Sequence, residues 1–306
     1  MSYDTATIRQ LNTLTSEFYA REAASFSATR QSPWHGWERA WDAAAAADPT
    51  LARRALSALD LGCGNLRFER FLAERAGGPL AVTAVDNCTP LVKDGRQPAP
   101  RPASPQAAGR QRASADSLDS AVPPHAKQGP AASERAMVDF RPFDIVESLL
   151  DGSFANRLPY GTCDLAVAFG LMHHLPTFAL RAEALAALLR SLRPGGFAIA
   201  SFWQFLNDAR LAGKAAAVTD EGRAAHSLPP FGPGDHLLGW QHAEGIYRFC
   251  HHTGDNEIDD LLTAIRADPD TPPFREVARF SDDGKQDNLN RYVVLRRCEP
   301  QAASLC

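Results

Sequence analysis

The stretch "LDLGCGNLRFERFL", residues 59–72, decides how the chain is read. A short apolar run ends in Asp60, and Gly62 and Gly64 follow it closely. Phe68, Phe71 and Leu72 then recur at i, i+3 and i+4, the spacing of one helix face. Two glycines between a strand and a helix mark a turn where a ligand comes close to the backbone.

Outward from this stretch, strand and helix patterns alternate. "AVTAVD" (81–86) reads as a second strand ending in an acid, and "VDFRPFDIV" (138–146) and "CDLAVAFG" (163–170) as further strands. A helix carrying Leu185, Leu188, Leu189 and Leu192 on one face is expected to stop at "RPGG" (193–196), before the strand "GFAIASFW" (196–203). This alternation implies an α/β fold with a doubly wound, mostly parallel sheet. "REVARFS" and "RYVVLRR" are close enough in sequence to form an antiparallel C-terminal strand pair, and Ile258, Leu261, Leu262 and Ile265 predict one late helix. At the other end, Ile8, Leu11, Thr15, Phe18 and Tyr19 predict a helix from 5 to about 30. An Ala-rich second helix should run to Asp48-Pro49, so that 1–50 form an N-terminal helical lid. The remainder, 51–306, reads as the main domain, with 204–250 as an elaboration on the substrate side.

Residues 94–137 interrupt this rhythm with seven of the 22 prolines and no aromatic residue. Too little apolar surface is present to offset the ordering entropy, so a disordered insertion in one loop is expected.

Composition excludes several classes. With 306 residues, 44% of them apolar and a net charge of −4, the chain can bury a core and carries no global basic field. Six widely spaced cysteines include no C-x-x-C pair, which argues against a zinc knuckle or redox dithiol. Reduced thiols in a cytoplasmic protein are expected. "MSYDTATIRQ" lacks a signal pattern, and apolar runs such as "LAVAFGLM" (165–172) are too short to span a bilayer.

In an open α/β sheet the ligand lies at the carboxyl ends of the strands. Asp60, Gly62 and Gly64 stand at the first such end and Asp86 at the second, where a carboxylate can accept both hydroxyls of a ribose. Asp144 falls where a third strand end could accept from an adenine amino group. A dinucleotide turn needs a third glycine at position 67, and Arg67 stands there instead.

Together, "LDLGCGN", "AVTAVD", "FDIV", "CDLAVAFGLMHHL" and "LRPGGFAIASFW" resemble the successive motifs of class I S-adenosylmethionine-dependent methyltransferases, over 57–92 and 138–203. The resemblance implies a seven-stranded Rossmann-like sheet and S-adenosyl-L-methionine as cofactor. The Gly62–Gly64 turn, with Asp60, Cys63 and Asn65, would pack on its methionine part. Asp86 and Asn87 would take the ribose, Asp144 and Ile145 the adenine, and Phe169 and Gly170 the sulfonium end. A narrower resemblance links "FYAREAASFSATRQSPW" (18–34), "GDHLLGW" (234–240), "YRFCHHTGDNEIDDLL" (247–262) and "NRYVV" (290–294) to the tRNA wobble-uridine carboxymethyl methyltransferases. That family implies a modified tRNA nucleoside as acceptor and a small zinc-binding activator subunit as partner. The chain departs from it at Cys250, where the family has an aromatic residue, at Arg291 and Tyr292, where it has tryptophan, and in the 94–137 insertion.

Methyl transfer from a sulfonium is a direct displacement. A carboxylate acceptor needs no base, only a cation to hold it, and an Arg fork suits it; Arg30 and Arg248 are the candidates, with His251 near. A hydroxyl or ring nitrogen would call for a histidine base. His174, Arg248 and His251 are therefore the candidate catalytic residues, and Tyr19, Arg30 and Trp34 the candidate substrate or lid residues. Neighbouring helical side chains diverge, so His173 and His174 are not expected to chelate a metal together. Trp34, Trp37 and Trp41 suit lid packing, or base stacking where exposed. The residues also leave open a small-molecule carboxyl or O-methyltransferase, a non-catalytic cofactor-binding subunit and a nicotinamide dehydrogenase.

Overall fold

The computed structural model describes residues 3–95, 136–241 and 243–299. The central strands are β1 (Leu56–Leu61), β2 (Leu80–Asp86), β3 (Ala136–Pro142), β4 (Cys163–Ala168), β5 (Leu192–Trp203), β8 (Phe274–Asp282) and β9 (Asn290–Arg297). They form one sheet in the order β3-β2-β1-β4-β5-β9-β8. The first five pair in parallel, while β9 runs antiparallel to both β5 and β8. The doubly wound sheet with its antiparallel C-terminal pair is as the sequence predicts. The winding reverses between β1 and β4, and a crevice opens there at the carboxyl ends of the strands.

Alternation along the strands divides the core. Leu59 and Leu61 of β1 face a layer with α1 (Thr5–Ala28), α5 (Ile145–Leu150), α7 (Phe178–Ser191) and α9 (Asp255–Ala267). Ala58 of β1, Val82 of β2 and Leu165 and Val167 of β4 face the opposite layer, with α2 (His35–Ala47) and α3 (Arg67–Arg75). There Trp37, Trp41, Phe68, Phe71 and Leu72 are buried, each large side chain contributing roughly 1.5–3 kcal/mol by leaving water.

Helix α1 begins where Asp4 caps it, its carboxylate accepting from the Thr7 amide at 2.8 Å. Ile8, Leu11, Thr15 and Phe18 form its buried stripe. It lies across α4 (Thr89–Gly95) and β7 (Arg248–His251), over the carboxyl ends of the sheet.

Several boundaries differ from expectation. "FDIV" is not strand: β3 ends at Pro142, and Asp144 caps α5 by accepting from the Glu147 amide at 3.0 Å. "RPGG" belongs to β5, where a register shift lets the chain pass directly from α7 into the strand. Between 204 and 250 lie a helix, α8 (Ala209–Ala225), and β6 (Asp235–Leu238), which pairs antiparallel with β7. Helix α8 buries only Ala215, Thr219 and Gly222, so no large apolar stripe announces it. Most of the insertion lies outside the described residues, but its edges are ordered otherwise than expected: 94–95 close α4 and 136–137 open β3. Cys63, Cys88, Cys163 and Cys250 are free and buried, whereas Cys298 is disulfide-bonded, which corrects the expectation of reduced thiols throughout. No helix among the described residues is long and apolar enough to cross a membrane.

Candidate functional site

The carboxyl ends of β1, β2 and β4 open onto one crevice. Asp60, Gly62, Cys63, Gly64, Asn65, Asp86, Asn87, Asp144, Ile145, Phe169 and Gly170 all line it, as do Tyr19, Arg30, Trp34 and His174. Gly62 and Gly64 have φ of 78° and 53°, in the left-handed region that favours glycine. A Cβ at Gly64 would meet nothing within 4 Å, so the turn leaves open space on that side.

Asp86 anchors the turn. Its Oδ2 accepts from the Gly64 amide at 2.9 Å and its Oδ1 from the Cys88 amide at 2.7 Å. Burial raises its pKa against the pull of these bonds. Each oxygen retains a second lone pair for a ligand hydroxyl. Cys63 is no nucleophile in this state, because burial holds its thiol well above the usual range.

Three further crevice residues also have protein partners. Asp144 Oδ2 accepts from the side-chain amides of Asn12 at 2.7 Å and Asn87 at 3.3 Å, while Oδ1 caps α5. The carboxylate is thus fixed by protein donors at the crevice wall. The Asn87 amide also donates to Ser16 Oγ at 2.9 Å. The Asn65 amide donates to Ser27 Oγ at 3.1 Å and to the Arg30 carbonyl at 3.0 Å, tying the turn to the link between α1 and α2.

A second crevice adjoins the first and shares Tyr19, Phe26, Arg30, Trp34, Arg67 and Gly170 with it; His173, Trp203 and Arg248 line only the second. Arg248 is 5% exposed, and its Nε and Nη1 have no hydrogen-bond partner. Its guanidinium stacks 4.4 Å from the Phe18 ring centre and 5.7 Å from those of Trp203 and Trp240. Arg30 stacks on Phe26 at 3.6 Å and on Trp240 at 5.0 Å, and burial brings its pKa down to about 10. Arg67 donates to the Ser32 carbonyl at 2.9 Å and lies over Trp34 and Trp37, with Nε unpartnered and its pKa also lowered by burial to about 10. None of the three has a carboxylate partner among the described residues.

His174 lines the first crevice, its ring 4.0 Å from that of His173, which lines the second. Its Nδ1 faces the Phe249 carbonyl at 2.7 Å, which can only accept, so Nδ1 carries the proton. Its Nε2 therefore accepts from the Tyr19 hydroxyl at 2.8 Å. Burial, assisted by Arg248, holds His174 down to about 3, and burial raises Tyr19 to about 12, so both are neutral near pH 7. Phe169 packs against Phe68, Trp37 and Tyr292, and the Gly170 amide donates to Ser201 Oγ at 3.1 Å.

Two histidine expectations need correction. His251 lines neither crevice: Asp235 Oδ1 holds its Nδ1 at 2.6 Å and Glu257 Oε2 its Nε2 at 2.7 Å. Both nitrogens are committed to a network that continues to Tyr3 and Arg181, so the residue is placed to hold structure. The rings of His173 and His174 do not diverge either, because Met172–His174 is a 3₁₀ turn and their centres lie 4.0 Å apart. With Cys250 they bring potential ligand atoms within 4.8 Å of one another. Both His174 nitrogens are already engaged, however, and the Arg248 guanidinium beside Cys250 opposes a cation there.

Arg67 and Trp203 lie within the quoted stretches 59–72 and 192–203, but nothing in their spacing points to a site role, and only the tertiary fold brings both to the second crevice.

No protein-family model matches the chain, and no curated protein does. Among solved structures, the fold matches that of an S-adenosylmethionine-dependent methyltransferase from Methanosarcina mazei, with 14% identity and a TM-score of 0.50 over 82% of this chain and 96% of that one. CalS10, an amino pentose methyltransferase from Micromonospora echinaspora with S-adenosylmethionine bound, aligns at 16% identity over 90% of this chain and 96% of its own, with a TM-score of 0.47.

Proposed function

We propose that the chain is an S-adenosylmethionine-dependent methyltransferase whose acceptor presents a carboxylate. The observation that carries this reading is the pairing of two crevices. One is floored by the Gly62–Gly64 turn and Asp86; the other is walled by buried Arg248, with two unpartnered nitrogens, and half-buried Arg30, which donates to Thr29 Oγ1, and neither has a carboxylate partner among the described residues. The residues fit the cofactor: Gly64 leaves open space at the turn, Asp86 keeps lone pairs for ribose hydroxyls, and Asp60 presents a buried oxygen without a donor.

When bound, the cofactor supplies an electrophilic methyl on sulfonium. The chain's own residues supply alignment, which is worth roughly 7–11 kcal/mol at best. Arg248 and Arg30 hold the acceptor carboxylate by charge-assisted hydrogen bonds. Tyr19 and Trp34, common to both crevices, set the passage between them and exclude water from it. Neutral His174 fixes the Tyr19 hydroxyl and removes no proton, which agrees with an acceptor that is already ionised. Helix α1 and its link to α2 act as a lid over both crevices, whereas α2 itself packs in the core against the sheet, so the lid is shorter than the expected 1–50.

A small carboxylate is the favoured carrier. Arg9 and Arg39, which could have extended a basic rim, are held in ion pairs with Glu147 at 2.6 Å and Asp282 at 2.9 Å. A carboxymethylated tRNA nucleoside is the second reading, supported by the end segments around Arg30 and Arg248; an activator subunit belongs with it. The test is incubation with cofactor labelled at the methyl group, alongside separate tRNA and small-molecule pools, the tRNA arm with and without an activator. Label released as methanol by mild alkali identifies a methyl ester. Cofactor binding without transfer to either pool would point to a non-catalytic subunit.

A further inference from the structure

Beneath the glycine turn, two carboxyl groups lie together with no cation paired to them among the described residues. Asp60 stands in β1 and Glu69 in the first turn of α3, and they are 2% and 4% exposed. Asp60 Oδ1 and both carboxyl oxygens of Glu69 have no hydrogen-bond partner among the described residues, yet the two groups are close enough to bond to one another through a shared proton. Asp60 lines the cofactor crevice, and Glu69 lies behind it. Two ionised carboxylates do not coexist in a dry site, and one proton between them removes the conflict.

The surrounding groups reinforce this. Asp86 of β2 adds a further negative charge, and the Cys63 thiol stays neutral, raised by burial and then by these acids. The Glu69 backbone amide, the bond to Asp60 and then Arg70, next along α3, draw Glu69 downward. Burial nonetheless prevails: Asp60 is held well above the usual carboxylate range, and Glu69 is pushed up to about 7.

We propose that Glu69 is a positioning residue that shares a proton with Asp60, and that this proton is released when the ammonium group of an S-adenosyl ligand seats against Asp60. The inference rests on the methyltransferase reading above. In this step the ligand's N–H bonds stay intact. The proton on the carboxyl pair passes to solvent, and an ionised pair is left facing the ammonium.

The test is calorimetry of S-adenosylhomocysteine binding at pH 7 in two buffers of different ionisation enthalpy. 5′-Methylthioadenosine, which keeps the nucleoside and thioether but lacks the ammonium, is the comparison ligand. With S-adenosylhomocysteine the heats should differ by the release of about half to one proton, and Kd should tighten by up to about tenfold per pH unit between roughly pH 5.5 and 7. 5′-Methylthioadenosine should show neither effect. Glu69→Gln, whose amide can donate to Asp60 and keep it ionised, should abolish the release, and Glu69→Asp should restore it. Equal heats in both buffers with a pH-independent Kd would overturn the proposal and leave the cofactor assignment standing. Failure of both ligands to bind would overturn the cofactor assignment and the proposal with it. If the variants do not fold, the contrast between the two ligands on the wild-type protein decides.

Discussion

Replacing Arg248 by Met separates a substrate grip from a structural role, because the two give opposite signs. The wild-type guanidinium is buried with two nitrogens unpartnered, together costing roughly 1–3 kcal/mol. Met has similar length and removes that cost. It also forfeits stacking on Phe18, Trp203 and Trp240, worth about 0.5–2 kcal/mol. The ligand-free variant should therefore be as stable as wild type or more so by roughly 1 kcal/mol, a rise of about 2–4 °C in Tm. Binding of a carboxylate acceptor should suffer, since a hydrogen bond between charged groups is worth about 1.5–3 kcal/mol. That corresponds to a rise in KM of roughly 10- to 150-fold. The assays are a thermal melt without acceptor and steady-state kinetics at saturating cofactor. A Tm lower by several degrees with KM unchanged would refute the reasoning, since Arg248 would then be holding the fold rather than waiting for an anion.

Asp86→Ala should weaken S-adenosylhomocysteine binding by roughly 1–3 kcal/mol in calorimetry, since the ribose loses a charged acceptor and the Gly64 amide loses its anchor. Gly36→Ala should destabilise the fold by roughly 1–3 kcal/mol in denaturant titration, because the added Cβ would clash with the ring of the fully buried Tyr292. His251 is raised because its bonds to Asp235 and Glu257 outweigh the lowering effect of burial. Its contribution to stability is thus complete below the unfolded value of about 6.5 and fades as pH rises through the folded value. His251→Gln should remove that alkaline decline from a series of melts between pH 6 and 8. With His174 held near 3 and Tyr19 near 12, kcat at saturating cofactor and acceptor should be flat from pH 7 to 9; a sigmoidal rise would mean that a base takes part.

The sheet was legible because its signals are local. Apolar runs ending in Asp60, Asp86 and Ala168 are buried strands, and strand tips in such a fold share one edge, so Asp60, Gly62, Gly64 and Asp86 meet in a single crevice. What stayed illegible depends on partners distant in sequence. Asp144 looked like a strand end, but Asn12, Asn87 and the start of α5 engage it, and none of these can be paired with it from spacing. His251 resembled a pocket histidine because a sequence does not disclose that Asp235 and Glu257 flank it. Arg67 counted only against a dinucleotide, although its side chain reaches the α1–α2 link. Helix α8 was missed because small residues, rather than a stripe of leucines, form its packed face.

The bonds from Asn65 and Arg67 to Arg30 and Ser32 carry a consequence for redesign. On the proposed reading, the strap that walls off the acceptor is stitched to the loop that cradles the donor. Altering residues 29–34 to admit a different acceptor would therefore slacken the donor's grip as well. Trp203, Leu289 and Asn290 line the second crevice and not the first, and selectivity can be rewritten there without that trade.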